Sequence, residues 1–217
     1  MLALTLAPGR SLERVLAVGC HADDVEIGCG ATLLALSRAR PGLRVTWVVL
    51  AAAGPRADEA RASAGAFLVD AGSSEIRVHG FRDGFLPYVG GEVKDVFEGL
   101  KDVEPDLIFT HARDDLHQDH RLACELTWNT FRDHLILEYE VPKYDPEEGA
   151  PNVFVPVDDA TAEAKARHLL EAYPSQAARP WFTRDTILAV MHLRGVQARA
   201  PHYAEAFHAR RLVLGAS

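Results

Sequence analysis

Arg14-Val-Leu-Ala-Val-Gly19, followed at once by Cys20-His21-Ala-Asp-Asp24, decides the fold. A short apolar run that ends in glycine suits a strand buried on both faces. Downstream, residues 28–40 are rich in Ala and Leu and predict a helix stopped by Pro41-Gly42. Residues 43–50 (Leu-Arg-Val-Thr-Trp-Val-Val-Leu) predict a second strand. The alternation continues with a helix over 58–71, a strand over 75–79, a helix over 93–103, a strand over 107–110, a helix over 119–132 and a strand over 135–139. Strands and helices at this spacing make βαβ units. The expected architecture is an α/β, Rossmann-like three-layer sandwich with a mostly parallel sheet and right-handed crossovers. A strand over 153–157, helices over 159–172 and 181–193, and a final segment over 203–214 complete one expected domain, residues 1–217.

In an open parallel sheet, ligands sit beyond the carboxyl ends of the strands where strand order reverses. With a 3-2-1-4-5 order, strands one and four are neighbours at that point. His21-Ala-Asp-Asp24 follows the first strand, and Asp115-Leu-His-Gln-Asp-His120 follows the fourth. The site is therefore expected at the carboxyl ends of strands 1 and 4, with both segments in it.

His21 and Asp24 lie three apart, a spacing that lets two side chains of a tight loop meet one ion, and His120 adds a second imidazole. Two histidines and a carboxylate leave coordination positions open for water and substrate, as catalytic sites need. Asp23, next to a ligand but not needed as one, is placed to take a proton from metal-bound water. His117, as a cation, could stabilise an oxyanion and protonate a leaving amine. Asp119 or Asp115 could fix its tautomer. Asp23 and Asp24 could also simply cap a helix. Gly28-Cys-Gly30 lacks the full phosphate-loop pattern and reads as helix packing.

At these residues the chain resembles the PIG-L/LmbE-like family of metal-dependent N-deacetylases. That family carries a His-Pro-Asp-Asp-Glu-like segment after the first strand and an Asp-x-His-Pro-Asp-His segment after a later one. The likeness extends to Arg56-Ala-Asp-Glu59, Phe81-Arg-Asp-Gly84, Glu104-Pro-Asp106, Tyr173-Pro-Ser-Gln176 and Tyr203-Ala-Glu-Ala-Phe207. It implies that His21, Asp24 and His120 bind zinc, with ferrous iron the alternative. It makes Asp23 the general base, His117 the oxyanion stabiliser and acid held by Asp119, and Arg56 a substrate contact. The implied reaction is removal of an N-acetyl group from an amino sugar or related small molecule. Ala22 and Gln118 stand where the family usually has proline, and Val25 replaces the acidic residue that often follows the Asp pair, leaving Glu26 one position on.

Composition sets the outer bounds. The chain has 217 residues, 48% hydrophobic and 25% charged, with net charge −8. No basic footprint argues for nucleic acid or a membrane surface as partner. Cys20, Cys29 and Cys124 form no CxxC and read as buried, unpaired thiols. Residues 1–10 lack a signal-peptide pattern and no apolar run approaches a bilayer span, so a cytoplasmic protein is expected. The expected partner is a small N-acetylated molecule, with a homo-oligomer left open. Residues 143–152 read as a solvated connection. The other histidines take surface or locally bonded roles, His111 being the one to watch because it ends the fourth strand. Trp181 and Phe182 are expected in the core.

Two rivals follow from the same residues. Two histidines and a carboxylate also describe the facial triad of Fe(II) oxygenases. A nucleotide-binding Rossmann-like module would use Gly28 and Gly30 without catalysis.

Overall fold

β1 (Arg14–Gly19) runs through the middle of a seven-stranded sheet ordered β3-β2-β1-β4-β5-β7-β6. The computed structural model describes residues 12–145 and 149–213. The readings made of residues 1–10, of 146–148 within the 143–152 connection, and of residue 214 therefore lie outside the described residues. β2 (Arg44–Val49), β3 (Ser73–Val78), β4 (Leu107–His111) and β5 (Leu135–Tyr139) join β1 in parallel. β1 lies beside β4 with Val15 opposite Leu107 and Ala17 opposite Phe109. The expected 3-2-1-4-5 order is therefore present. β7 (Tyr203–His208) enters between β5 and β6 (Val153–Val157), antiparallel to both.

Successive side chains of a strand point to opposite faces, and β1 shows it. Val15 and Ala17 join a core with Trp47, Phe67 and Phe109, while Leu16 and Val18 join a second core with Val48, Ile108, Phe97 and Phe131. Helices α1 (Asp24–Ala39), α2 (Pro55–Phe67), α5 (Asp159–Ala172) and α6 (Arg184–Ala198) contribute buried residues to the first core. α3 (Gly90–Gly99) and α4 (Gln118–Thr130) contribute to the second. All three cysteines are buried and free. Among the described residues, no helix is long and apolar enough to cross a membrane.

Several boundaries differ from the sequence reading. α1 begins at Asp24, not residue 28, because Val25 and Glu26 are fully buried and the helix starts directly at the strand end. Gly28 and Gly30 consequently lie inside a helix. A Cβ at Gly28 would sit 2.1 Å from the Tyr139 ring, and one at Gly30 2.6 Å from Phe67. They are packing glycines and form no phosphate cradle. α6 begins at Arg184 because the Thr183 side chain accepts the Thr186 N–H as its N-cap. Trp181 and Phe182 precede it and pack in the first core.

Candidate metal centre

The first site segment is a tight turn from β1 into α1. A Cβ on Gly19 would meet Val25 at 2.9 Å and Asp24 at 3.2 Å, so only glycine lets the helix start so close to the strand. The turn is tied to β2, since Leu50 N–H donates to Gly19 O and Ala51 N–H to Cys20 O. The second segment enters α4, where His117 is the N-cap and its Nδ1 accepts the Asp119 N–H.

These two turns bring three ligand atoms together. His21 Nδ1 lies 3.1 Å from His120 Nε2 and 3.3 Å from Asp24 Oδ2, and His120 Nε2 lies 3.4 Å from Asp24 Oδ2. An ion with bonds of about 2.0–2.1 Å to tetrahedral N and O ligands sets those ligands roughly 3.3–3.4 Å apart. The residues present fit a divalent ion of that kind.

A ring of carboxylates backs the triangle. Asp115 Oδ2 bonds His120 Nδ1 at 2.8 Å and accepts from Lys143 Nζ at 2.9 Å, while its Oδ1 accepts the His117 N–H. His21 Nε2 faces Asp83 Oδ1 at 3.0 Å and Asp119 Oδ2 at 3.3 Å. Metal-ligating histidines characteristically give their second nitrogen to such groups, which fixes tautomer and orientation. Asp119 also accepts the N–H groups of Gly84 and Leu86, binding the 83–86 loop to α4.

The electrostatics are those of a cation trap. Burial alone would lower His21 and His120, but Asp24 with Asp119 and Asp83 pushes His21 up to about 12, and Asp24 with Asp115 raises His120. Burial likewise opposes ionisation of Asp24, yet His120, His111 and His21 outweigh it and hold Asp24 well below the usual carboxylate range. Groups that bind protons this firmly offer the same field to a metal ion. His111, in contrast, is driven down to about 4 by burial and by His120.

Asp23 is buried next to Asp24. Burial and the neighbouring Asp24 raise it, with Arg56 opposing. Arg56 NH2 lies 3.2 Å from Asp23 Oδ1, and its other nitrogen bonds Glu59 and Ser175. The Arg56 guanidinium also sits 4.9 Å over the Tyr173 ring. The predicted set of His21, Asp23, Asp24, His117, Asp119, His120 and Arg56 is thus brought to one place.

The internal wiring differs in one respect. Asp119 meets His117 through its backbone N–H, and its carboxylate serves His21 and the 83–86 loop. Sequence reasoning missed Asp83 and Lys143, and gave Asp115 only as an alternative partner for His117. Asp83 stood within the Phe81–Gly84 stretch quoted for the resemblance, but nothing local showed which histidine its loop would reach.

Comparisons with known proteins bear on the family and the fold. Residues 16–131, more than half of the chain, match the PIG-L family, described as GlcNAc-PI de-N-acetylase. No curated protein sequence matches. Among solved structures, the conserved protein TT1542 from Thermus thermophilus is 23% identical with a TM-score of 0.74, covering 94% of this chain and 97% of that one. N,N'-diacetylchitobiose deacetylase from Pyrococcus horikoshii is 20% identical with a TM-score of 0.74, covering 94% and 86%. GalB, the 4-carboxy-2-hydroxymuconate hydratase from Pseudomonas putida, is 16% identical with a TM-score of 0.75, covering 94% and 99%. At these identities the structures share the fold, which also carries hydratase chemistry. The match over residues 16–131 spans both site segments, and on it the chain belongs to the PIG-L family of de-N-acetylases.

Proposed function

We propose that this protein is a cytoplasmic, single-domain, zinc-dependent hydrolase that removes an N-acetyl group from an amino sugar or related small molecule. The observation that carries the reading is the triangle of His21 Nδ1, Asp24 Oδ2 and His120 Nε2, with edges of 3.1–3.4 Å, beside the buried carboxylate of Asp23. A divalent ion bound by these three groups would supply Lewis acidity, polarising an amide carbonyl and easing deprotonation of water.

Asp23 takes the proton of the attacking water, whose oxygen forms the new bond to the carbonyl carbon. Burial and Asp24 raise the basicity of Asp23, which suits that task. His117 has its Nδ1 occupied by the Asp119 N–H, which leaves Nε2–H as its free donor. With its Nδ1 accepting the Asp119 N–H, His117 is the neutral ring and not the cation expected from the sequence. It therefore donates Nε2–H to the developing oxyanion and does not serve as the acid for the leaving amine. When the C–N bond breaks, the proton held on Asp23 passes to the leaving nitrogen, giving amine and acetate. Arg56 restrains the Asp23 carboxylate and offers its remaining N–H groups to substrate.

The test is acetate release from a panel of N-acetylglucosamine derivatives by purified protein, with metal content measured in parallel. Release that a chelator abolishes and zinc restores is expected. Chelator-insensitive release would remove the metal from the reading. Turnover that requires O₂ would favour the ferrous facial-triad alternative instead.

A further inference from the structure

His111, the last residue of β4, is fully buried and touches two of the three proposed ligands. Its ring stacks on His120 with centroids 3.8 Å apart and planes 18° from parallel. Its Nε2 accepts the Cys20 N–H at 3.0 Å, lies 3.2 Å from Asp24 Oδ2, and lies 3.3 Å from the Tyr139 hydroxyl. That hydroxyl donates to Val18 O. The other nitrogen, Nδ1, is buried with no hydrogen-bond partner.

The orphaned Nδ1 is costly, and an apolar ring would remove that cost only by leaving the buried Cys20 N–H without its acceptor. A lone pair on Nε2 is needed to accept the Cys20 N–H, which places the ring proton on the orphaned Nδ1. The Nε2 lone pair then faces Asp24 Oδ2 across 3.2 Å with no proton between two acceptors. Asp24 Oδ2 accepts the His21 N–H at 2.6 Å, and positive charge on its open side would offset the remaining repulsion. His21 Nδ1 and His120 Nε2 lie on Asp24 Oδ2 at 3.3 and 3.4 Å, where the ion is proposed to sit. His111 is not itself a ligand, because the Cys20 N–H already occupies its only lone pair.

We propose that His111 is a positioning residue for the metal. Through Cys20 it pins the backbone that leads into His21, through the stack it sets the plane of His120, and through Asp24 Oδ2 it confines the carboxylate to the edge shared by both imidazoles. The inference rests on the reading of His21, Asp24 and His120 as holders of a divalent ion.

Two variants test it, His111→Phe, which keeps the ring and loses the acceptor, and His111→Gln, whose amide oxygen can replace Nε2. Zinc affinity of the stripped protein is measured by competition with a chromophoric chelator, and the melting temperature is measured on the same stripped protein. His111→Phe should bind zinc about 10–100-fold more weakly per folded molecule, with the metal-free melting temperature lowered only modestly by the orphaned Cys20 N–H. His111→Gln should recover most of the affinity. Wild-type affinity in His111→Phe would overturn the inference. So would parallel losses of affinity and metal-free stability that His111→Gln does not reverse, which is what a purely structural role predicts. Wild-type protein that binds no zinc would overturn the metal reading itself and this inference with it, a result distinct from equal binding by wild type and variant.

Discussion

Two groups of buried charges meet helix α1, and they are built on opposite terms. At its N-terminus, Asp23 and Asp24 join His21, His111, His120, Asp115 and Asp119, an arrangement with acceptors in contact and an orphaned nitrogen on His111. In the middle of α1, the buried Glu205 carboxylate accepts the Ala31 and Thr32 N–H groups, and Lys165 Nζ bonds both Glu205 and Ile27 O at 2.6 Å. A small cavity next to this pair is lined also by Arg194 and Glu140, joined by a bidentate ion pair. In the second region the charges are matched, Lys165 with Glu205 and Arg194 with Glu140, and the one orphan beside them is the uncharged Thr32 hydroxyl. Matched charges specify structure, whereas acceptors in contact call for a compensating charge.

That contrast is sharpest at Asp23. Asp23→Ala should lower turnover about 10²–10⁴-fold, the range of a lost general base. Zinc stoichiometry should stay at the wild-type value. Because burial raises this carboxylate, its removal should leave the metal-free protein as stable as before or more so. Full metal content with unchanged turnover would sink the base assignment.

The closed region should respond in stability instead. Lys165→Met leaves Glu205 buried with only its two backbone donors, and breaking a buried pair from one side costs about 3–5 kcal/mol. For a chain of this size that lowers the melting temperature by roughly 6–20 °C. Zinc affinity per folded molecule should not change. A variant that keeps its melting temperature but loses zinc would show that the two ends of α1 act as one unit, and would break the comparison.

The open region was the more legible of the two in the sequence. His21, Asp24 and His120 could be placed together because a parallel sheet forces β1 beside β4 and puts both following turns at one end. The family resemblance then separated ligands from base. Asp115 was harder, since from its position it can reach either His117 or His120. The first turn of α4 settles the matter by pointing His120 Nδ1 at its carboxylate. Asp83 arrives on a loop whose path depends on Asp119 and on Gln118, whose amide donates to Gly84 O. Gly84 there has φ +77°, a left-handed conformation suited to glycine. Gln118 thus bonds the loop that reaches the site. Of the closed region only Glu205 was visible beforehand, within the 203–207 stretch, and nothing named its partners. The region's members come from α1, α5 and β7, and no local pattern says that β7 inserts between β5 and β6.

The smallest predicted effect tests whether the second ion pair is closed by charge or only by packing. Burial alone would raise Glu140, but His208, Arg194 and the Gly149 N–H outweigh it and hold this carboxyl below the usual range. A group whose pKa is depressed on folding adds stability above its unfolded value, about 4.3, and loses it as pH falls through the folded value. Wild type should therefore exceed Glu140→Gln by about 1–3 kcal/mol near pH 7, with Arg194 left almost fully buried beside a neutral amide. The gap should hold down to the unfolded value, shrink as pH falls towards the folded pKa of Glu140, and vanish below it, where the wild-type carboxyl is also neutral. Urea denaturation of both proteins across pH 3–7 reads this directly. A gap that does not change with pH would mean the contact with Arg194 contributes by shape alone, and the closed region would then owe its charge balance to Lys165 and Glu205.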